Sequence, residues 1–127
     1  MSTSNIFMKD ECYAIQGAVF DVYRELGPGF LEKVYQECLG IEFEKRNIPF
    51  VAQKELDIYY KGQKLNQYYI PDFICYDKII IELKVVISMN NNHESQMLNY
   101  LKATGLHLGL LVDFGSFPKV GIKRLVL

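Results

Sequence analysis

The sequence predicts an α/β or α+β sandwich, helices packed on a mixed β-sheet, and three observations lead there. Apolar residues recur at helical spacing as far as Arg46. From Phe50 the period shortens to that of strands, and one more helical stretch, His93 to Thr104, separates the early strands from the last ones.

In chain order, Asp10 to Leu26 reads as an amphipathic helix: Ile15, Val19, Val22 and Leu26 recur at helical spacing, and Ala14 and Ala18 add propensity. Gly27-Pro28-Gly29 stops it. A second helix is expected from about Phe30 to Arg46, with Leu31, Val34, Tyr35, Cys38 and Ile41 on one broad apolar face, ended by Asn47 and Pro49. Val51 to Tyr60 is strand-like and closes on Lys61-Gly62-Gln63, a hairpin turn. Tyr68 to Cys75 is the next expected strand, Tyr76-Asp77-Lys78 a reversal, and Ile79 to Val86 the strand after it. Pro71 removes a ladder donor, so a local edge or a bulge is expected beside Asp72. Met89-Asn90-Asn91-Asn92-His93 is a polar break with helix-capping side chains. A helix from about His93 to Thr104 follows, with Met97, Leu98 and Leu101 as its apolar stripe and Gly105 as its stop. Leu106 to Phe114 reads as a buried strand, Gly115-Ser116-Phe117-Pro118 as a turn, and Ile122 to Leu127 as a final strand.

A chain of 127 residues with no repeat and no dividing linker is expected to form a single domain over 1–127. Such a length buries roughly two thirds of the unfolded surface. Half of the residues are hydrophobic and 23% are charged, the balance of an ordered globular protein. No uninterrupted apolar run is long enough for a membrane span, and Met1 to Lys9 has no signal-peptide core, so a cytoplasmic location is expected. Cys12, Cys38 and Cys75 are odd in number and widely spaced, which reads as small buried thiols and excludes a paired-cysteine metal motif. A net charge of -1 does not support wholesale wrapping of nucleic acid, though a local basic groove fits within it.

Chemistry points to two strands that interrupt apolar runs with charge: Tyr69-Ile70-Pro71-Asp72-Phe73-Ile74-Cys75 and Ile79-Ile80-Ile81-Glu82-Leu83-Lys84-Val85. Burying such charges costs several kcal/mol unless they pair or bind a metal. Glu82 and Lys84 share one strand face, and a reversal centred on Asp77 sets Asp72 opposite Glu82. Two adjacent carboxylates repel unless a cation lies between them, and Mg²⁺ takes oxygen ligands while keeping waters for chemistry. In that reading Lys84 orients or helps deprotonate a water, or stabilises charge on a phosphate. An internal Glu82–Lys84 or Asp72–Lys84 ion pair that neutralises itself fits the spacing equally well.

With Pro71 preceding it, Asp72 is followed after nine residues by Glu82-Leu83-Lys84, a pattern that resembles the PD-(D/E)xK nuclease signature. Gly29-Phe30-Leu31-Glu32-Lys33-Val34-Tyr35 resembles the name-giving motif of the GxxExxY protein family. Segments His93 to Lys102, Gly109 to Gly115 and Gly121 to Arg124 are similar to the rest of that family, so the likeness runs from about Ala14 to Arg124. The resemblance implies a restriction-endonuclease-like fold, a mixed sheet flanked by helices. It implies metal ligation by Asp72, Glu82 and the Leu83 carbonyl, with Lys84 as the catalytic lysine. It further implies Glu32 as a helix carboxylate supporting the metal and Gln96 as a polar helix residue beside it.

Glu32 also suits the helix dipole by its position alone. Tyr35 reads as a supporting residue behind the site, with a core tyrosine of satisfied hydroxyl as the alternative; His93 and Tyr100, which flank Gln96 on one helical face, read likewise, the alternatives being a capping role for His93 and a solvated face for Gln96 and Tyr100. Tyr59, Tyr60, Tyr68 and Tyr69, with Lys54, Lys61 and Lys64 nearby, suit either single-stranded nucleic acid or a half-buried sheet and dimer interface. Lys119, Lys123 and Arg124 form a small basic patch expected to meet a nucleic-acid backbone. The expected function is a nuclease hydrolysing DNA or RNA with Mg²⁺, or Mn²⁺ in its place. The alternative is a nucleic-acid-binding or dimerising accessory protein with a nuclease-like fold, and either a homodimer or an accessory partner suits so small a domain.

Overall fold

The computed structural model describes residues 6–86 and 90–127. Met89, the first residue of the expected polar break, and most of the expected leaderless N-terminal stretch lie outside them. Helix α1, Lys9–Leu26, buries Cys12, Ile15, Ala18, Val19 and Val22 along one stripe. Gly27 ends it at φ 65, donating its N–H to the Tyr23 carbonyl at 2.7 Å. Gly29 follows at φ 114, a backbone that side chains other than hydrogen resist.

Helix α2, Glu32–Lys45, buries Tyr35, Leu39 and Phe43. The broad face expected from the sequence is corrected here, for Leu31 is 77% and Ile41 49% exposed. The reason is aromatic packing. Tyr35 stacks on Phe114 and Phe43 meets Phe50 and Phe73, so the helix turns its narrow i, i+4, i+8 stripe inward.

Five strands form a mixed sheet: β1 (Phe50–Ala52), β4 (Phe73–Cys75), β5 (Ile79–Lys84), β6 (Leu108–Asp113) and β7 (Gly121–Val126), in that order. Only β5 and β6 run parallel, linked by helix α3, Asn91–Thr104. Strands β2 (Leu56–Tyr60) and β3 (Gln63–Tyr69) form a separate hairpin, turning at Lys61 and Gly62, both at positive φ. Each of two expected strands, Val51 to Tyr60 and Tyr68 to Cys75, is thus two strands in different sheets. The breaks have local causes: Gln53 sits at φ 52, and Pro71 cannot donate to a ladder. The two exits stay fastened, because the Gln53 N–H donates to the Asp72 carbonyl at 3.1 Å.

Alternation along the strands divides the core. Ile79, Ile81, Leu83, Leu108, Leu110 and Val112 pack with α1 and α2, while Ile80, Leu111 and Leu125 pack with Tyr69 and with Met97 and Leu101 of α3. Covered on both sides, β5 and β6 read as continuous apolar runs. The protein is therefore an α/β fold, a mixed sheet flanked by helices. No helix among the described residues is long and apolar enough to cross a membrane.

Candidate functional site

The antiparallel register of β4 and β5 runs Cys75↔Ile79, Ile74↔Ile80, Phe73↔Ile81. One step further it sets Asp72 across from Glu82, and there the backbone ladder gives way to side chains. The Asp72 N–H donates to Glu82 Oε1 at 2.9 Å, and the Leu83 N–H donates to Asp72 Oδ2 at 2.8 Å. One oxygen of each carboxylate is thereby held by a backbone donor, and the two groups are locked side by side on the α3 face.

Along a strand, a residue's N–H and C=O point to the same edge. The Leu83 N–H points toward Asp72, so its carbonyl faces that edge too, whereas the Lys84 carbonyl faces β6 and accepts from the Phe114 N–H at 2.9 Å. Lys84 is half-buried, and the ion pairs among the described residues do not include it. The self-neutralising pair that the spacing also allowed is not formed.

Burial pushes the Glu82 carboxyl up to about 7, reinforced by the charge of Asp72 and opposed by the Asp72 N–H and by Lys84. Burial also raises Asp72, against the Leu83 N–H and Lys84. Glu32 is exposed at the start of α2, and its carboxyl is raised by partial desolvation, then by Asp72, with Lys84 opposing. The first residue of α2 therefore shares an electrostatic neighbourhood with the strand carboxylates although it belongs to the opposite layer. Tyr35 explains its placement. The Tyr35 hydroxyl donates to the Gly27 carbonyl at 2.5 Å and accepts from the Phe30 N–H at 3.2 Å, fixing the chain that enters α2.

The other expected site residues divide. Tyr100 stacks on Tyr69 with ring centroids 3.8 Å apart. Tyr69, 5% exposed, is thus closed to base stacking; burial and the Glu82 carboxylate beside it raise its hydroxyl. Gln96 is exposed one turn before Tyr100, and the hydrogen bonds of Asp72 and Glu82 run to each other's segment rather than to it. His93 closes a capping box with Asn90 at the start of α3. Of the expected basic residues, Lys119 is exposed before β7, and Lys123 and Arg124 do not share a face. Lys123 and Arg124 alternate across β7: Lys123 pairs with Glu94 of α3 at 3.7 Å, while Arg124 donates to the Phe7 carbonyl before α1 at 2.6 Å.

Sequence reasoning passed over two residues of this region. Tyr69 was one of four tyrosines, and the alternation that exposes Tyr68 and buries Tyr69 was its only distinguishing signal. Asp113 ends the apolar run of β6, 1% exposed and level with Lys84 in the parallel register.

The family model described as PD-(D/E)XK nuclease superfamily matches residues 9–125. The chain belongs to the PD-(D/E)XK nuclease superfamily. No curated protein matches it. Among solved structures it is similar to the crystal structure of SSO0001, with 18% identity and a TM-score of 0.57. The match covers 74% of this chain and 50% of the other, so the chain spans about half the length of that protein. At that identity the likeness bears on the fold, and it agrees with the restriction-endonuclease-like architecture described above.

The superfamily in general uses divalent metals, and the donor set suits a small one. No group of three His, Cys, Asp or Glu side chains among the described residues is arranged to hold a metal ion. Mg²⁺ does not need such a cage: it is bound through one or two carboxylates and keeps several waters. Two adjacent carboxylates, each with one oxygen outside the backbone hydrogen bonds, fit that demand.

Proposed function

We propose that this protein is a nuclease of the GxxExxY family, a single PD-(D/E)xK nuclease-like domain over 1–127 that hydrolyses phosphodiester bonds of DNA or RNA in the cytoplasm. The observation that carries the reading is the reciprocal clasp of Asp72 and Glu82 beside an unpaired Lys84. Asp72, Glu82 and the Leu83 carbonyl would hold Mg²⁺ or Mn²⁺. Such an ion, when bound, polarises a phosphoryl oxygen and lowers the pKa of a water. Lys84, free of an ion pair, is available to orient that water or to stabilise charge on the phosphate through Nζ. Glu32 adds negative potential from α2, and Gln96 offers an amide to the substrate from the exposed face of α3.

A specific observation favours assembly as a second reading. Tyr59, Tyr60, Leu65, Tyr68 and Ile70 are each exposed on or beside the hairpin, and a homodimer or an accessory partner would cover those on one of its faces. Sedimentation equilibrium of the full chain tests this, a monomer at all concentrations arguing against a homodimer.

The decisive experiment is cleavage of plasmid, linear duplex, single-stranded DNA and RNA with Mg²⁺ or Mn²⁺, comparing wild type with Asp72→Ala and Lys84→Ala. Metal-dependent cleavage lost in both folded variants supports the nuclease. Absence of cleavage on every substrate, with equal metal binding by all three proteins, refutes it.

A further inference from the structure

The β5–β6 ladder reaches its last pair at Lys84 and Asp113. Just past it, the Phe114 N–H donates to the Lys84 carbonyl at 2.9 Å. A parallel ladder would next send the Val86 N–H to the carbonyl of Phe114, the residue after β6. Instead that N–H donates to Asp113 Oδ1 at 3.0 Å, and the same oxygen accepts from the Gly115 N–H at 2.9 Å. One buried carboxylate thus extends the ladder by a rung and ties the exit of β5 to the exit of β6. The corner is too tight for a side chain. A Cβ on Gly115 would lie 2.5 Å from the Val86 carbonyl oxygen and 2.6 Å from its nitrogen. The second oxygen of Asp113 has no hydrogen-bond partner among the described residues, so the fold carries a buried acid of which the corner uses one oxygen.

Lys84 stands inside this fastening. Its own carbonyl and the N–H two residues on are both held toward the end of β6. A strand end without such bonds frays, and a lysine on a fraying end samples many positions relative to Asp72 and Glu82. We infer that Asp113 is a positioning residue for Lys84: by binding the Val86 and Gly115 amides through Oδ1, it fixes the backbone from which Lys84 reaches the carboxylate pair. The part of the inference that concerns rate rests on the nuclease reading; the part that concerns Lys84 does not.

Asp113→Ala and Asp113→Asn separate the role from general packing, since Asn keeps an oxygen acceptor for both amides. Three readouts are taken: amide hydrogen exchange at Val86 and Gly115, the NMR resonance of ¹³C-dimethylated Lys84 assigned with Lys84→Arg, and cleavage kinetics. In Asp113→Ala, the Val86 and Gly115 amides lose protection while the ladder from Ile79 to Leu83 keeps it. The Lys84 resonance moves toward those of the exposed lysines, and kcat falls roughly ten- to a hundredfold with KM little changed. Asp113→Asn restores all three. An unchanged Lys84 resonance and kcat in Asp113→Ala overturns the inference, as does an Asn variant that behaves like Ala. If Asp113→Ala does not fold, Val86→Pro removes the Val86 bond from the donor side and is read by the Lys84 resonance and kcat, an unchanged resonance and kcat again overturning the inference. If the wild type cleaves nothing, the nuclease reading fails, and the exchange and resonance data still decide whether Asp113 positions Lys84.

Discussion

Replacing Glu82 with Gln removes a charge and keeps the oxygen that accepts the Asp72 N–H, so it isolates what ionisation of this group costs the fold. Unfolded, the carboxyl titrates at its ordinary 4.5; folded, burial and the neighbouring Asp72 hold it up to about 7. Below the lower value both states carry the proton and the group costs nothing. Between the two, the unfolded chain releases its proton while the folded chain keeps it, and stability falls as pH rises. At about 1.4 kcal/mol per pH unit, the interval amounts to roughly 3 kcal/mol of stability that is complete in acid and lost above neutrality. Urea denaturation of wild type and Glu82→Gln in EDTA, at about pH 4 and about pH 8.5, reads the difference directly. The expected result is near-equal stability in acid and a Gln variant more stable by roughly 2–3 kcal/mol in base. Saturating Mg²⁺ should narrow the alkaline gap, because a cation that binds only the folded wild type stabilises it by mass action. A difference that stays constant between the two pH values would show that Glu82 is not held in its raised, buried state and would remove the electrostatic basis for a cation there.

Three further outcomes follow from local geometry. Tyr35→Phe keeps the ring on Phe114 but loses the bonds to the Gly27 carbonyl and the Phe30 N–H, and urea denaturation should show a loss of about 1–2 kcal/mol. Gly115→Ala forces a Cβ against the Val86 backbone and should cost about 1–3 kcal/mol or more by the same assay. Arg124→Met should speed hydrogen exchange in the first turn of α1, because its bond to the Phe7 carbonyl is lost. The same variant should leave the salt dependence of nucleic-acid binding unchanged, where loss of a phosphate contact would lower the slope by about one.

Helical periodicity marks α1 and α3 in the sequence because each buries a regular stripe whose spacing depends only on local geometry. The opposition of Asp72 and Glu82 is legible for the same reason: a short reversal at Asp77 fixes the register, and register fixes which side chains meet. Sheet membership is not local. Nothing near Val51 or Tyr68 says that the chain leaves one sheet at Gln53 and returns at Asp72, and Pro71 shows that a ladder is interrupted without showing where the chain goes. The buried side of α2 depends on aromatic partners contributed by β1, β4 and the residue after β6, none of them visible from the helix itself. The separation of Lys123 from Arg124 is different, for the period-2 alternation of β7 already places neighbouring residues on opposite faces. Along a strand, adjacency in sequence is not adjacency on a face.

Four backbone donors at or beside the ends of β4, β5 and β6, on Asp72, Leu83, Val86 and Gly115, are met by acidic side chains: Glu82, Asp72 and Asp113. Buried N–H groups need acceptors, and a carboxylate makes the stronger, charge-assisted bond. That need alone does not explain the choice of acids. An amide oxygen would serve each N–H without setting two charges side by side, and the raised carboxyls of Asp72 and Glu82 measure what the acids cost. Lys84 offsets part of that cost for both, yet forms an ion pair with neither. A fold selected for stability alone would close that pair or replace the acids. Two repelling carboxylates and an uncommitted ammonium on one face are what the proposed nuclease would need to take up a cation and a phosphate there.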